Sequence, residues 1–386
     1  MTIDPPKKRR IGLFVDSLMG GGAERVALNF AETFIALGHD ARVFVLHPPI
    51  EHEVGHVPIH LISDRERLAD WRPLNKWRYA RRIRKLVREI EADGTRFDFF
   101  ISNAEDSDRL TRLAGLDPVF IRYRNSLIHF LNAKVGKATG FKRHLRRMRW
   151  LNKFRERYNG HIVTVSKALQ TELVETVGLK PASITTIYNP FDFDRLRQLG
   201  EEQADTPQSP YILYAARITP RKRQDLLLKA YALSKIELPL VLLGGTSCAE
   251  DEAFERRMRT LATELGIADR VLFAGFHRNP YPWIRRAALF AMSSDSEGLP
   301  TVLIESLILG TPVVSTDCPT GPSEILVGPL ASFLSPVDDA EGLAENMRKA
   351  LAAYPPIDTA MLERFRCEAT IRAYLAHFET LFGKTQ

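Results

Sequence analysis

Short apolar runs alternate along this chain with longer segments in which apolar residues recur every three or four positions. Residues 11–15 and 41–46 are largely apolar runs of the kind that form strands buried on both faces of a parallel sheet. Between them, Val26, Phe30 and Phe34 repeat every four residues, which predicts a helix with one buried face. Strands that alternate with helices indicate a parallel sheet covered by helices on both sides.

The alternation restarts near the middle of the chain. Further strand-like runs lie at residues 97–102, 119–122, 161–165, 211–215, 240–243, 271–274, 288–292 and 312–315. Residues 188–210, with Asn-Pro, Thr-Pro and Ser-Pro steps and an acidic stretch, are typical of a linker. We therefore predict an α/β protein of two Rossmann-like domains, residues 1–190 and 191–366, facing each other across a cleft. Open parallel sheets bind ligands at the carboxyl ends of their strands.

Length and composition agree with this organisation. The 386 residues are too many for one ordinary core, and 45% hydrophobic with 26% charged residues is usual for a globular protein. No stretch approaches the roughly 20 apolar residues of a membrane-spanning helix, and the N-terminus does not read as a secretory signal. Cys248, Cys318 and Cys367 are few and widely spaced, which favours a reducing compartment over a disulfide framework or a zinc site. We expect a cytoplasmic protein.

The net charge of +7 is divided unevenly, because residues 1–190 carry +12 and the remainder −5. The first half is therefore expected to face a membrane surface, an acidic lipid-linked substrate or nucleic acid. Residues 72–88 hold eight Lys or Arg and no acid, and residues 134–157 hold ten and one acid. Neither zinc-finger spacing nor an RNA-recognition signature accompanies them, so nucleic acid is not expected.

The second basic segment has a regular apolar pattern. Its apolar side chains recur at three- and four-residue spacing: Phe141, Leu145, Met148, Leu151, Phe154 and Tyr158. A basic amphipathic helix is typical of an element that lies on an anionic membrane surface. The alternative is a helix that packs this stripe on the domain core and exposes its charges.

Two segments have the chemistry of a phosphate site. Gly20, Gly21 and Gly22 separate the first strand from its helix, where free amides of a helix N-terminus attract anions; a simple tight turn is equally consistent. Arg217 and Lys222 belong to a run of four cations after the strand at residues 211–215. Arginine and lysine bind phosphate, although such runs are more often solvated surface.

Two acidic residues flank the start of a predicted helix. Glu297 lies in the loop before Pro300, near the positive end of the helix dipole, and Glu305 lies about a turn and a half inside. Carboxylates accept hydrogen bonds from sugar hydroxyls, and the amides of Gly298 and Leu299 are suited to phosphate oxygens. The alternative is a capped helix with two surface acids. Residues 317–324, a turn rich in glycine and proline, are a further candidate segment, for which a plain connecting loop is hard to reject on chemistry alone.

In the setting SDSEGLPTVLIESLILGTPVVSTDCPTGPSEIL, these two acids resemble the signature of glycosyltransferase family 4, of GT-B fold. Similarity extends to GGGAERVALNFAETFIALGHDARVFVL, VSKALQTEL, ITTIYNPFD and ARITPRKRQDLLLKAYAL. The resemblance implies a retaining transferase that uses a UDP- or GDP-sugar, with no cofactor and no metal ion. In the family, a C-terminal helix, here residues 367–386, crosses back to the first domain.

The resemblance also assigns roles to residues. Arg217 and Lys222 would bind the donor diphosphate, helped by backbone at Gly21 and Gly22. Glu305 would bind the ribose hydroxyls. Glu297 would contact the transferred sugar, close to the Gly298 and Leu299 amides; Glu297, Arg217 and Lys222 are the candidate catalytic residues.

Two departures from the family pattern concern these roles. Arg223 follows Lys222 where many members have glycine. Several members place a histidine near the sugar, where this chain has Arg124 and Asn125; His129 is a further candidate, although a lone histidine there is more often structural.

The sequence thus predicts transfer of a hexose-type sugar to a glycan or lipid-linked acceptor, in cell-surface polysaccharide or lipopolysaccharide synthesis, at the cytoplasmic face of the membrane. The alternative is a non-catalytic protein that binds a sugar nucleotide or nucleic acid. An epimerase and a phosphorylase share the fold, and the phosphorylase is disfavoured because nothing suggests a pyridoxal-binding lysine.

Overall fold

The computed structural model describes residues 7–19, 22–50, 54–64, 73–136 and 140–383, without the side chains of residues 22, 23, 73, 74 and 133. Its contacts divide the chain into two compact units. The first comprises the described residues up to Val165, Gln170–Phe191 and those from Arg364 onward. The second comprises Ser166–Leu169 and Asp192–Glu363.

The first unit is built on a seven-stranded parallel sheet of order β3-β2-β1-β4-β5-β6-β7. Its strands are β1 (Arg10–Val15), β2 (Asp40–Val45), β3 (Ile59–Leu61), β4 (Phe99–Ser102), β5 (Val119–Tyr123), β6 (His161–Thr164) and β7 (Ser183–Thr186). The helices in this part of the chain are α1 (Gly22–Ala36), α2 (Pro73–Ile90), α3 (Glu105–Ala114), α4 (Leu127–Val135), α5 (Gly140–Arg157) and α6 (Lys167–Thr171), the last continuing into a π-helical turn, Glu172–Thr176.

The second unit contains a six-stranded parallel sheet of order β10-β9-β8-β11-β12-β13. Its strands are β8 (Ile212–Ala215), β9 (Leu240–Leu243), β10 (Val271–Gly275), β11 (Leu289–Met292), β12 (Val313–Thr316) and β13 (Leu334–Ser335). Its helices are α7 (Phe193–Gly200), α8 (Gln224–Ser234), α9 (Ala249–Glu264), α10 (Tyr281–Arg286), α11 (Thr301–Ile308), α12 (Pro322–Ile325) and α13 (Ala340–Ala352). The prediction of two Rossmann-like parallel sheets with alternating helices is confirmed.

The central strands are buried because their residues are apolar on both faces. All six residues of β1 and all four of β9 and β11 are buried. At Gly12, in the middle of β1, an added Cβ would lie 2.4 Å from the Phe100 ring. The Phe100 ring of β4 therefore fits against β1 because residue 12 has no side chain.

The last helix, α14 (Cys367–Phe382), packs on the sheet of the first unit. Tyr374 lies edge-on to Phe30, with ring centres 5.3 Å apart, and Phe378 lies 5.0 Å from Phe99. The chain returns to this unit through backbone hydrogen bonds between Phe191 and the Phe365–Cys367 segment. Across the described ranges, no helix is long and apolar enough to span a bilayer.

Candidate active site

Two loops meet at the carboxyl edge of the second sheet. The single helical turn Pro220–Lys222 follows β8, and residues 293–300 follow β11. These strands are neighbours, since Leu289 and Phe290 pair with Ile212 and Leu213. Parallel neighbours end at the same edge, so the cationic loop and the acidic loop lie side by side.

A buried ion pair joins the two loops. Glu297 is 8% exposed, and Lys222 Nζ donates to its Oε1 at 2.5 Å. Arg221 Nη1 lies 3.8 Å from Oε2 and donates to the carbonyl oxygen of Ser296 at 2.9 Å. A carboxylate removed from water requires such partners, so these two cations determine where Glu297 lies.

Hydroxyl groups beneath the ion pair hold the cationic turn in place. Tyr214 donates its hydroxyl hydrogen to the Lys222 carbonyl oxygen at 3.1 Å and lies 2.8 Å from Ser294 Oγ. Ser293 Oγ lies 3.0 Å from the same carbonyl oxygen and 2.8 Å from that of Arg223. Burial raises the pKa of Tyr214 far above its usual range, so its hydroxyl stays neutral and remains a donor.

Arg217 differs from Lys222 in its surroundings. It lies two residues after β8, is exposed, and has no carboxylate partner within ion-pair distance in the part of the chain that the structure describes. Gly244, after β9, approaches this segment so closely that an added Cβ would lie 2.0 Å from the Ala216 carbonyl oxygen. Arg217 thus forms no ion pair among the described residues, although its charge acts on Asp251, and close backbone packing fixes the position of its segment at the sheet edge.

Glu305 lies on α11, one turn beyond the acidic loop. It is half-buried, and burial raises the pKa of its carboxyl to about 7. Among the described residues, no Lys or Arg lies within ion-pair distance of it. The carboxyl is therefore available to hydroxyl donors, in contrast to the paired Glu297.

The turn at residues 317–324 packs against the acidic loop, so it is more than the plain connecting loop that the sequence left open as an alternative. Gly321 has a φ of 103°, and an added Cβ would lie 2.5 Å from Pro300 Cδ and 3.0 Å from Leu299 Cα. Thr320 donates its hydroxyl hydrogen to the Glu297 carbonyl oxygen. This turn braces the acidic loop from behind, a contact that only tertiary packing reveals.

The first-unit candidates lie near the carboxyl edge of the other sheet. Arg124 follows β5 and is half-buried; burial lowers the pKa of its guanidinium, and Glu24, Asp108 and Asp16 oppose that shift. Asn125 and His129 are exposed, and the His129 amide donates to Ser126 Oγ at the start of α4. Gly22 begins α1, and Gly21 lies outside the described residues.

Arg122, two residues earlier, was not predicted as a site residue. It is 3% exposed, and its Nη1 donates to Asn103 Oδ1 at 2.7 Å while Nη2 donates to Asn189 Oδ1. Its guanidinium lies 4.9 Å from the centre of the Phe30 ring, and burial lowers its pKa to about 10. Arg122 thus joins the ends of β4 and β5 to the chain after β7. An arginine inside a mainly apolar strand was the sequence feature that could have pointed to it.

A second unpredicted group orders helix α3. Asp16, after β1, accepts hydrogen bonds from the Ser107 amide at 2.9 Å and from Ser107 Oγ at 2.6 Å. Asp108 accepts from Ser102 Oγ at 2.6 Å, and burial raises its pKa to about 7. Throughout the described ranges, no three His, Cys, Asp or Glu side chains are grouped so as to hold a metal ion.

Comparison with known families assigns both halves of the chain. Residues 20–195 match the family model described as Glycosyltransferase Family 4, and residues 199–366 match Glycosyl transferases group 1. The second match contains Arg217, Lys222, Glu297 and Glu305.

Individual proteins agree with the family models. An N-acetylgalactosaminyltransferase of Campylobacter jejuni, which acts on a diphospho-undecaprenol-linked sugar, is 25% identical over 95% of each chain. The lipopolysaccharide core biosynthesis glycosyltransferase LpsE of Rhizobium meliloti is 32% identical over 53% of this chain and 60% of its own.

Solved structures share the fold. A glycosyltransferase from Rickettsia africae superposes with a TM-score of 0.75 at 14% identity, over 98% of this chain and all of its own. Anabaena HepE, solved in complex with UDP and glucose, gives 0.71 at 18% identity, over 96% of this chain and all of its own. The chain therefore belongs to glycosyltransferase family 4 and has the GT-B fold.

Proposed function

We propose that this protein is a retaining glycosyltransferase that moves a hexose-type sugar from a nucleotide-diphosphate sugar to a glycan or lipid-linked acceptor, in the synthesis of a cell-surface polysaccharide or lipopolysaccharide. The observation that carries the proposal is the buried Lys222–Glu297 pair, which joins the loops after β8 and β11 at one sheet edge. Arg217 precedes Lys222 in the first loop, and Glu305 lies on the helix that follows the second. The Campylobacter relative acts on a lipid-linked sugar and the Rhizobium relative in lipopolysaccharide core biosynthesis, which agrees with the acceptor class.

The donor diphosphate would be bound by Arg217, Arg221 and Lys222. Lys222 has three N–H donors and uses one on Glu297, which leaves two for phosphate oxygens. Arg217 forms no ion pair with a carboxylate of the described residues, so binding a phosphate there breaks none of the ion pairs that the structure describes. When the sugar bond breaks, charge develops on the leaving diphosphate, and these fixed cations stabilise it in the way a metal ion does elsewhere.

The acidic loop would hold the sugar, and α11 the ribose. Glu297 is oriented by Lys222 and Arg221, so its free lone pairs can accept hydroxyl hydrogens of the transferred sugar. The Gly298 and Leu299 amides lie in the same loop, next to that sugar or its phosphate. Glu305, unpaired and half-buried, suits the ribose diol. We propose a UDP- or GDP-sugar as donor, and transfer on the face of the sugar from which the diphosphate leaves.

The donor proposal is tested by thermal unfolding with UDP-, GDP- and ADP-sugars in the presence of EDTA. A ligand that binds only the folded state raises the unfolding midpoint, and we expect one nucleotide class to do so. Lys222→Met removes charge-assisted hydrogen bonds, so the Kd for that donor should rise by about 10- to 100-fold. Lys229→Met, at an exposed site on α8, is the control and should bind as the parent does.

Release of free nucleotide, measured in the same samples, distinguishes a transferase from a non-catalytic binding protein. A midpoint shift without any turnover would support the binding protein. No shift with any of the donors at millimolar concentration would contradict the proposed function.

Gly321→Ala tests whether the brace behind the acidic loop matters for the donor. The added Cβ would lie 2.5 Å from Pro300 Cδ, so the Glu297–Leu299 loop must move, and we expect donor affinity and kcat/KM to fall by at least about tenfold. Gly328→Ala is the matched control, since Gly328 also has a positive φ, 58°, but no atom within 4 Å of an added Cβ. Equal donor affinity in the two variants would show that the brace plays no part in the site.

Glu305 should make donor binding depend on pH. With a pKa of about 7 its carboxyl is largely neutral at pH 6 and ionised at pH 8, and ribose hydroxyls bind the ionised form better. The donor Kd of the parent should therefore be about tenfold larger at pH 6 than at pH 8, as isothermal titration calorimetry can measure. Glu305→Gln should bind more weakly at pH 8 and lose this dependence.

The stability of the unliganded protein should also depend on the ionisation of Glu305. A carboxyl whose pKa is raised in the folded state loses its proton more readily in the unfolded chain. The folded state is therefore destabilised as the pH rises from the ordinary carboxyl pKa towards 7. The unfolding midpoint of the parent, measured relative to that of Glu305→Gln, should therefore decrease as the pH is raised from 5 to 8. A donor Kd with the same pH dependence in both proteins would contradict the role given to Glu305.

A further inference from the structure

Helix α5 has two halves with different surroundings. In its C-terminal part, Leu151 and Phe154 are buried with the following Tyr158 against α4 and the end of the sheet. Arg157 adds an ion pair with Glu105 at the start of α3. This half, called the anchor, attaches α5 to the first unit.

Residues 140–149, called the projecting segment, pack on nothing in the described structure. Every residue in it is exposed, including the large apolar side chains Phe141 at 75%, Leu145 at 47% and Met148 at 37%. Their spacing of four and three residues places them on one face of the helix. At roughly 100° per residue, that face points about 110° away from the anchor face, so it is not an extension of the buried side.

Cations border one side of this apolar face. The projecting segment contains Lys142, Arg143, Arg146, Arg147 and Arg149, and the first acid of α5 is Glu156. None of the five forms an ion pair with a carboxylate in the ranges that the structure describes. By helical position, Lys142 and Arg149 lie three and four residues from Leu145 and so border the Phe141–Leu145–Met148 stripe on one side; Arg146 is next to them, farther round the helix.

Helix α2, the other basic segment, lacks this combination. Its apolar residues Ala80, Ile83 and Val87 are buried against the sheet. Most of its cations are exposed on the other side of the helix, although Arg84 Nε donates to the Ala114 carbonyl oxygen. Of its large apolar side chains that the structure describes, only Trp77 is exposed. The sequence predicted contact with an anionic membrane through both residues 72–88 and residues 134–157. Among the described residues of these two segments, the exposed apolar stripe lies in the projecting segment.

We propose that the projecting segment is a docking element for an anionic phospholipid surface, in which Phe141, Leu145 and Met148 enter the interface and the neighbouring cations contact lipid phosphates. The apolar stripe and the cations beside it together match a lipid surface, which has acyl chains beneath a layer of negative charge. A nucleic acid would satisfy the cations but leave Leu145 and Met148 uncovered. The helix lies in the interface and does not cross the bilayer.

Sedimentation of the full chain with phosphatidylcholine vesicles, with and without phosphatidylglycerol, tests this proposal. The parent should bind the anionic vesicles, and bind them more weakly at high salt. Phe141→Gln/Leu145→Gln/Met148→Gln leaves the charge and helix propensity unchanged, and should weaken binding by at least about tenfold. Lys142→Gln/Arg146→Gln/Arg149→Gln should weaken it by about a hundredfold, since each cation near the surface contributes about fivefold.

A matched control removes the same charge elsewhere on the first unit. Arg78→Gln/Arg81→Gln/Arg88→Gln, on the exposed face of α2, should bind vesicles within about threefold of the parent. Parent-like binding by the Phe141/Leu145/Met148 variant would overturn the proposal. So would an α2 variant as weak as the 142/146/149 variant, or RNA binding that needs the cations and not the apolar stripe.

These outcomes are independent of the proposed function. The anchor residues are unchanged in all three variants, so each should unfold at the parent's midpoint and keep the parent's protection by donor. Vesicle binding without any donor protection would leave this proposal standing while the transferase proposal failed.

Discussion

The carboxylate of Glu297, buried at the edge of the second sheet, is the constraint on which the donor half of the structure depends. Leaving such a group without its cation would cost roughly 3–5 kcal/mol, so Lys222 and Arg221 must lie within reach of it. The helical turn that carries these two cations is held in place by hydrogen bonds from the hydroxyls of Tyr214 and Ser293 to the Lys222 carbonyl oxygen. The ion pair thus orders both loops before any ligand arrives, which is the preorganisation that electrostatic catalysis requires.

Much of the fold follows from the sequence because the central strands are apolar on both faces. The runs at residues 11–15, 240–243 and 288–292 correspond closely to β1, β9 and β11. Strands β3, β7 and β13 were missed, since they are two to four residues long, lie at sheet edges and include polar residues such as those of Ser183–Thr186. Edge strands are fixed by pairing with a neighbour, which periodicity along the chain does not encode.

The residues of the candidate site were also predicted only in part, because some of them are defined by contacts between distant segments. Lys222, Glu297 and Glu305 were predicted from a family signature that preserves spacing along the chain, and the structure brings Lys222 and Glu297 into contact. The second cation on Glu297, Arg221, and the brace at Gly321 were missed, because both are contacts between segments that are distant in sequence. Similarly, the pattern of α5 predicted one amphipathic helix, and only the packing shows that residues 151–158 are covered while Phe141, Leu145 and Met148 are not.

The central claim is retaining transfer at a site in which cations replace a metal ion. It is tested most directly by the configuration of the sugar first released when the α-linked donor is hydrolysed slowly without acceptor, followed by proton NMR in the presence of EDTA. This measurement needs no knowledge of the acceptor. The account predicts that the α-anomer appears first and that EDTA does not slow its release. A β-anomer as first product, or turnover abolished by EDTA, would contradict it.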